Sequence, residues 1–175
     1  MSGDFPTFRD CPATIRDLDS NCGPISMWMV LRHFRKRTSA RQIIRRCRHT
    51  KKTGTFTIAM AVALRESGLQ VEFHTDRDAD PRPIERQLYT RAKQLNIQVC
   101  DPLTIEQLAA RIRGRTIAIV YYDTDEHNGH FSPLIAFRNS RLILPYSDCG
   151  SMQIAEFEAK WSAPKICRQC IIISR

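Results

Sequence analysis

The 175-residue sequence has no apolar run near the roughly 18–20 residues that a membrane-spanning helix needs. Its first twelve residues, MSGDFPTFRDCP, contain no signal-peptide core. It has no internal repeat and no low-complexity tract, which excludes solenoid, collagen-like and disordered classes. It also lacks a second close cysteine pair. The seven cysteines, at 11, 22, 47, 100, 149, 167 and 170, are odd in number, and only Cys167 and Cys170 share a C-x-x-C spacing. A structural zinc site needs about four ligands and a secreted disulfide scaffold needs an even set, so neither is expected. Cys167-Arg168-Gln169-Cys170 leads straight into Ile171-Ile172-Ile173, which fits thiols in a terminal strand. No metal and no cofactor are expected. The chain is expected to be soluble and cytoplasmic as synthesised; secretion without a cleavable signal peptide is compatible with this.

What is present is an ordinary globular balance, 42% apolar and 26% charged, enough for one domain with one sizeable core. The charge is strongly one-signed, with 27 Lys and Arg against 18 Asp and Glu, for a net +9. Many of the cations cluster between Arg32 and Lys52. Two readings fit them: the solvated face of two helices, or a docking patch for an acidic macromolecule. Nucleic acid is the less favoured partner, because the cations do not interleave with stacking aromatics.

Helical periodicity covers Cys22–Arg37, with Pro24 suited to a first turn. It returns after a Ser39 cap through Cys47, and again from Thr57 to Ser67, where Gly68 ends it. The pattern then alternates as a strand over Leu69–Phe73. The segment DRDADPRP marks a seam between a helical lobe, about 14–80, and a sheet-rich lobe, about 81–175, of a single domain 1–175. Ile84–Leu95 and Thr104–Ile112 read as helices and Ile97–Val99 as a short strand. TIAIVYY reads as a central strand. HFSPLIAF and RLILPY follow as strands joined by a compact loop at Arg138-Asn139-Ser140. Residues 153–161 read as a helix, and KICRQCIIIS as the last strand. Helices first and then a mainly antiparallel sheet is the α+β arrangement.

Two residues carry candidate chemistry. Cys22 opens an amphipathic helix, where unsatisfied N–H groups and the dipole favour a thiolate. Gly23 beside it would leave room for a substrate backbone. A buried thiol that merely starts a core helix fits equally well. His130 follows Asn128-Gly129 at the start of a strand, from which a neutral imidazole can face a thiol across a cleft. A plain surface histidine fits it too. The pair says more than either member, since each half of the chain supplies one partner of a thiol–imidazole couple.

The segments NCGPISMWMVLRHF, GTFTIAMAVALRESGLQV, RTIAIVYY, GHFSPLIAF and SDCG, spanning most of residues 14–162, resemble papain-like cysteine peptidases of the bacteriocin-leader-processing type. GHFSP is also similar to a segment of phytochelatin synthases, another papain-like family. The resemblance implies a papain-like fold, with an N-terminal helical half packed on a C-terminal antiparallel sheet. It implies Cys22 as nucleophile, His130 as general base and Asp148 as the acid that orients the imidazole. An ungapped count from His130 instead places Tyr146 near the family's acid, so that Asp148 needs a small insertion around Pro145. The family's oxyanion Gln, about six residues before the Cys, is replaced by Arg16, and no Gln precedes Cys22. Asn21 or Arg16, with the Cys22 N–H, is then expected to hold the oxyanion.

The implied activity is peptide-bond cleavage in a protein or peptide substrate, one with an acidic surface being favoured by the charge balance. An effector or toxin role, restrained by an immunity or inhibitor protein, is a narrower expectation. An acyltransferase would use the same residues, and a basic binding module needs none of them. Of the remaining candidates, Asp123, Asp125 and Glu126 are expected at the cleft rim, His127 in a loop, His33 and His49 on the surface, and His74 near a strand end.

Overall fold

The computed structural model describes residues 5–126, 128–164 and 166–175. A single 3-10 turn, Phe8–Asp10, and a short helix α1, Ala13–Arg16, lead into α2, Cys22–His33. Helix α2 stops four residues earlier than its apolar periodicity suggests. Arg35 takes a left-handed φ of 56°, and the Lys36 N–H bonds back to the Leu31 carbonyl at 2.8 Å, a Schellman closure that terminates the helix. Ser39 then caps α3, Ala40–Arg46. Its hydroxyl accepts from the Gln42 N–H, and the Gln42 side chain accepts from the Ser39 N–H at 3.0 Å. Helix α4, Thr57–Glu66, is followed by Gly68 at φ 77°, as the glycine after its periodic run implies.

Strand β1, Gln70–Thr75, is followed by α5, Pro83–Gln94, β2, Gln98–Cys100, and α6, Ile105–Arg111. Strands β3, Ile117–Asp123, β4, Gly129–Leu134, and β8, Gln169–Ser174, complete a five-stranded sheet in the order β2-β1-β8-β3-β4. The β1–β2 pairing is parallel and the others antiparallel. Strand β1, which precedes the DRDADPRP segment, thus lies inside the same sheet as strands that follow it. Asp76 in that segment is tied to the far end of the chain by Arg168, at 3.1 Å.

The run HFSPLIAF divides at Ile135. Its first part is edge strand β4; its second, β5, Ala136–Arg138, turns away into a three-stranded sheet with β6, Arg141–Ile143, and β7, Ser151–Gln153. Asn139 and Ser140, at φ 48° and 60°, make the two-residue turn between β5 and β6. Strand β7 is not legible in the periodicity because three residues are too few to show alternation. Helix α7, Ile154–Trp161, follows it. Cys170 lies buried in β8, whereas Cys167 precedes the strand and is half-buried.

The central strands are apolar throughout because both sheet faces are covered. Ile117 and Ile119 of β3, with Ile171 and Ile173 of β8, pack on the helical side against Ile25, Met29, Met60 and Leu64. The alternating residues Ala118, Val120, Tyr122, Cys170 and Ile172 face Leu108, Leu142, Phe157 and Trp161 on the other side. Phe131 of β4 belongs to the first core, so the N-terminal half of β4 lies against α2.

Candidate active site

Cys22 is the first residue of α2, half-buried, with no side-chain cap supplied by Asn21. The N–H groups at the helix start are therefore left for other acceptors. Pro24 has no N–H to orphan. Burial pushes the Cys22 thiol above its ordinary value, and the backbone N–H groups of Phe131, Gly23 and Cys22 itself, all directed at the sulfur, oppose the rise.

The Phe131 N–H is the link to the sheet, since Phe131 follows His130 on β4. One helical turn after Cys22, the buried Ser26 hydroxyl donates to the Phe131 carbonyl at 3.1 Å. Helix start and strand start are thus bolted together at the same residue. The sequence contains these groups but not their meeting, 105 positions apart.

Gly23 faces Thr55 rather than an open cleft. A Cβ built on it would lie 2.7 Å from Thr55 Cβ, 2.9 Å from Oγ1 and 3.0 Å from Cγ2. Its missing side chain admits the turn before α4, not substrate. His49, expected on the surface, is half-buried and hydrogen-bonds Thr55 Oγ1 through Nδ1 at 3.0 Å. Gly129 makes room in the same way, since a Cβ there would overlap the Tyr121 hydroxyl.

His130 is half-buried beside Tyr122 and Tyr146, at ring-centre distances of 5.5 and 5.1 Å. Its Nε2 lies 2.8 Å from the Tyr146 carbonyl oxygen. A carbonyl only accepts, so Nε2 carries the proton and donates it, leaving the Nδ1 lone pair free to act as a base. Burial holds the imidazole pKa below its ordinary value, while the Tyr146 carbonyl and the Asp148 charge pull the other way. Asp148 is exposed and reaches His130 through its field. The ungapped count from His130 ends on Tyr146, and Tyr146 is the residue whose backbone meets the ring.

Tyr146 has a second contact. Its hydroxyl donates to Asn21 Oδ1 at 3.3 Å, and Asn21 Nδ2 donates to the Arg16 carbonyl at 2.5 Å. The Arg16 Nε is buried without a hydrogen-bond partner, and burial pushes the Cys11 thiol up to about 11 against the opposing Arg16 charge. Asn21, Cys22, His130 and Tyr146 are therefore brought together, with Asp148 at the periphery and the Arg16 charge acting on Cys11.

Two cavities flank His130. One, of about 580 Å³, lies between Thr7, Phe8 and Arg9 of the N-terminal segment and Pro145, Tyr146 and Ser147. Phe8 stacks on Tyr146 at 5.5 Å, so this segment forms a wall of the site. The other, of about 550 Å³, is lined by Tyr122, Asp125, Glu126, Asp148, Glu156 and Lys160, among others. Asp125 and Glu126 thus line a cavity beside the histidine, with Asp125 paired to Lys160 at 2.9 Å. Asp123 is buried at the end of β3 and does not line it. His127 lies outside the described residues. His33 is half-buried between Phe5 and Phe34, and His74 is buried at 3% exposure, 2.9 Å from the Asp101 carbonyl. Among the described residues no cluster of three His, Cys, Asp or Glu could hold a metal ion, and no helix is long and apolar enough to cross a membrane.

No family profile matches the sequence, and no curated protein matches it. Solved structures do match. A double-glycine-motif protease from an AMS/PCAT transporter, determined in complex with its leader peptide, superposes with a TM-score of 0.51 at 17% identity, over 87% of this chain and 83% of that one. The peptidase domain of Streptococcus ComA, a bifunctional ABC transporter in a quorum-sensing pathway, gives a TM-score of 0.53 at 17% identity, over 87% and 90%. The chain therefore has the α+β fold of double-glycine, papain-like peptidase domains, helices first and a mainly antiparallel sheet after.

Proposed function

We propose that this protein is a cysteine peptidase in which Cys22 attacks a peptide carbonyl and His130 moves the protons. The observation that carries the reading is the tautomer of His130. Its Nε2–H is spent on the Tyr146 carbonyl, so Nδ1 is unprotonated beside the strand residue whose N–H meets the Cys22 sulfur. Tyr146 holds the ring, and the Asp148 charge favours the imidazolium that forms during the reaction.

The steps balance without an external group. Nδ1 takes the thiol proton as sulfur bonds to the carbonyl carbon, and the carbonyl π pair moves to oxygen. Collapse of that intermediate breaks the C–N bond, and the imidazolium gives its proton to the leaving amine. Water, deprotonated by Nδ1, then attacks the thioester and the acid product leaves as sulfur recovers the proton.

The two cavities on either side of His130 suit an extended chain, and the AMS/PCAT protease bound to its leader peptide supports a peptide or protein as the substrate class. Charge narrows the partner. The segment 32–52 holds ten Lys and Arg and no Asp or Glu, which leaves the rest of the chain with 17 cations against 18 anions. The whole net charge thus sits on one segment, and an acidic protein is the substrate or inhibitor it would attract. An effector toxin acting on such a protein is the narrower form of the proposal; growth arrest on expression of the wild type, relieved by Cys22→Ala, tests it.

The core test is labelling by an electrophilic peptide probe, followed by proteomics of newly formed N-termini. Wild type is expected to label at Cys22 and to generate new termini, and Cys22→Ala to do neither. Undiminished labelling and cleavage by the variant would sink the reading. Transfer of the acyl group to an added amine in place of water would assign the same residues to an acyltransferase. Salt-sensitive binding to an acidic partner, with no turnover, would mark a binding module.

A further inference from the structure

A thiol peptidase needs donors for the oxygen that becomes negative in the tetrahedral intermediate, and one backbone N–H is normally joined by a side chain. No Gln precedes Cys22, so any side-chain donor must be another group. The Asn21 carboxamide is engaged at both ends, its nitrogen on the Arg16 carbonyl and its oxygen under the Tyr146 hydroxyl. The Arg16 Nε is buried without a hydrogen-bond partner, and the thiol its charge acts on is Cys11.

Three tyrosines lie close enough to Cys22 for a charge on its sulfur to act on their hydroxyls: Tyr121, Tyr122 and Tyr146. The Tyr121 hydroxyl lies over Gly129, and Tyr122, at 3% exposure, is buried in the second core. Tyr146 differs from both. It lines the cavity that His130 opens into, and its hydroxyl is hydrogen-bonded to the residue immediately before the nucleophile. Its ring is held between Phe8 and His130, at 5.5 and 5.1 Å.

We propose that the Tyr146 hydroxyl is the side-chain donor to the oxyanion, in place of the missing glutamine. The inference rests on the peptidase reading above. As sulfur bonds to the carbonyl carbon and the π pair moves to oxygen, the hydroxyl hydrogen turns from Asn21 Oδ1 to that oxygen. No tyrosine bond breaks. The bond given up is long, 3.3 Å, and so weak. Burial and the nearby thiols hold the Tyr146 pKa up to about 12, so the group stays a donor across the neutral range. One residue thereby serves both partners, its carbonyl orienting His130 and its hydroxyl receiving the charge that His130 helps to create.

The test separates oxyanion formation from thiol reactivity in the full chain. Acylation of Cys22 by p-nitrophenyl acetate passes through an oxyanion; alkylation by iodoacetamide does not. Tyr146→Phe keeps the carbonyl and the ring, and is expected to slow acylation about 100-fold, the usual effect of removing one such donor. Its alkylation rate is expected to stay within about twofold of wild type, because no oxyanion forms in that reaction. Tyr146→Gln, which restores an N–H donor, is expected to recover part of the acylation rate. Equal acylation by wild type and Tyr146→Phe overturns the proposal. So does a parallel loss of both reactions, which would make the hydroxyl a positioning group for Cys22. A wild type that acylates no faster than Cys22→Ala would instead overturn the peptidase reading itself.

Discussion

Replacing Gly23 with Ala puts a methyl group where Thr55 already stands. The new Cβ would lie 2.7, 2.9 and 3.0 Å from three Thr55 side-chain atoms. Carbon contacts are most favourable at about 3.5–4.0 Å, so the overlap is close to 1 Å. Thr55 cannot retreat cheaply. It is 8% exposed, His49 holds its hydroxyl at 3.0 Å, and the Thr50–Gly54 bridge closes the preceding turn with bonds of 3.0 and 2.9 Å. Overpacking of this kind costs about 1–3 kcal/mol. Alanine's better helix propensity returns less than about 1 kcal/mol, and less still in a first turn. The expected net loss of about 1–2 kcal/mol corresponds to about 2–8 °C in Tm for a chain of this size. Thermal and urea unfolding of Gly23→Ala measure it, and a cycle with Thr55→Gly isolates the coupling. If the glycine instead clears a path for substrate, Gly23→Ala will unfold like wild type and lose only turnover. That result would refute the packing argument.

Three further outcomes follow from the structure. Burial keeps the Cys22 thiol above 9.0 and the His130 imidazole below 6.5, so both are neutral at pH 7. The rate of iodoacetamide inactivation is expected to climb steeply with alkaline pH, and a flat rate across the neutral range would reveal a preformed ion pair instead. The same burial lowers the pKa of His33, His49 and His130 relative to the unfolded chain, which binds protons first as pH falls below 6.5. Stability is therefore expected to drop as pH falls through that window, and a Tm constant from neutral pH down into it would contradict the assignment. Finally, Ser26→Ala removes the buried bond from α2 to the Phe131 carbonyl and is expected to cost about 0.5–1.5 kcal/mol in urea unfolding.

The sequence by itself determined the α+β order of elements, because local signals set it. Ser39, Gly68 and Asn139-Ser140 act within a few residues of themselves, and the helical and strand periods need no distant partner. It singled out Cys22 and His130 in the same way, as a thiol at a helix start and an imidazole at a strand start. Even Tyr146 was within reach, since the uninterrupted count from His130 ends there. What the count could not supply is direction. It names a residue in the acid's place without saying that a carbonyl, not a side chain, would face the ring. Gly23 is the complementary case: its freedom was legible, but its purpose was not, because Thr55 fills the space only after α2 and the turn before α4 pack together. The division of HFSPLIAF between two sheets, the Ser26–Phe131 bolt and the wall built by Phe8 belong to the tertiary structure alone. Each depends on groups far apart in the chain meeting at one place, and side-chain periodicity carries no record of which strand edge or helix face lies opposite.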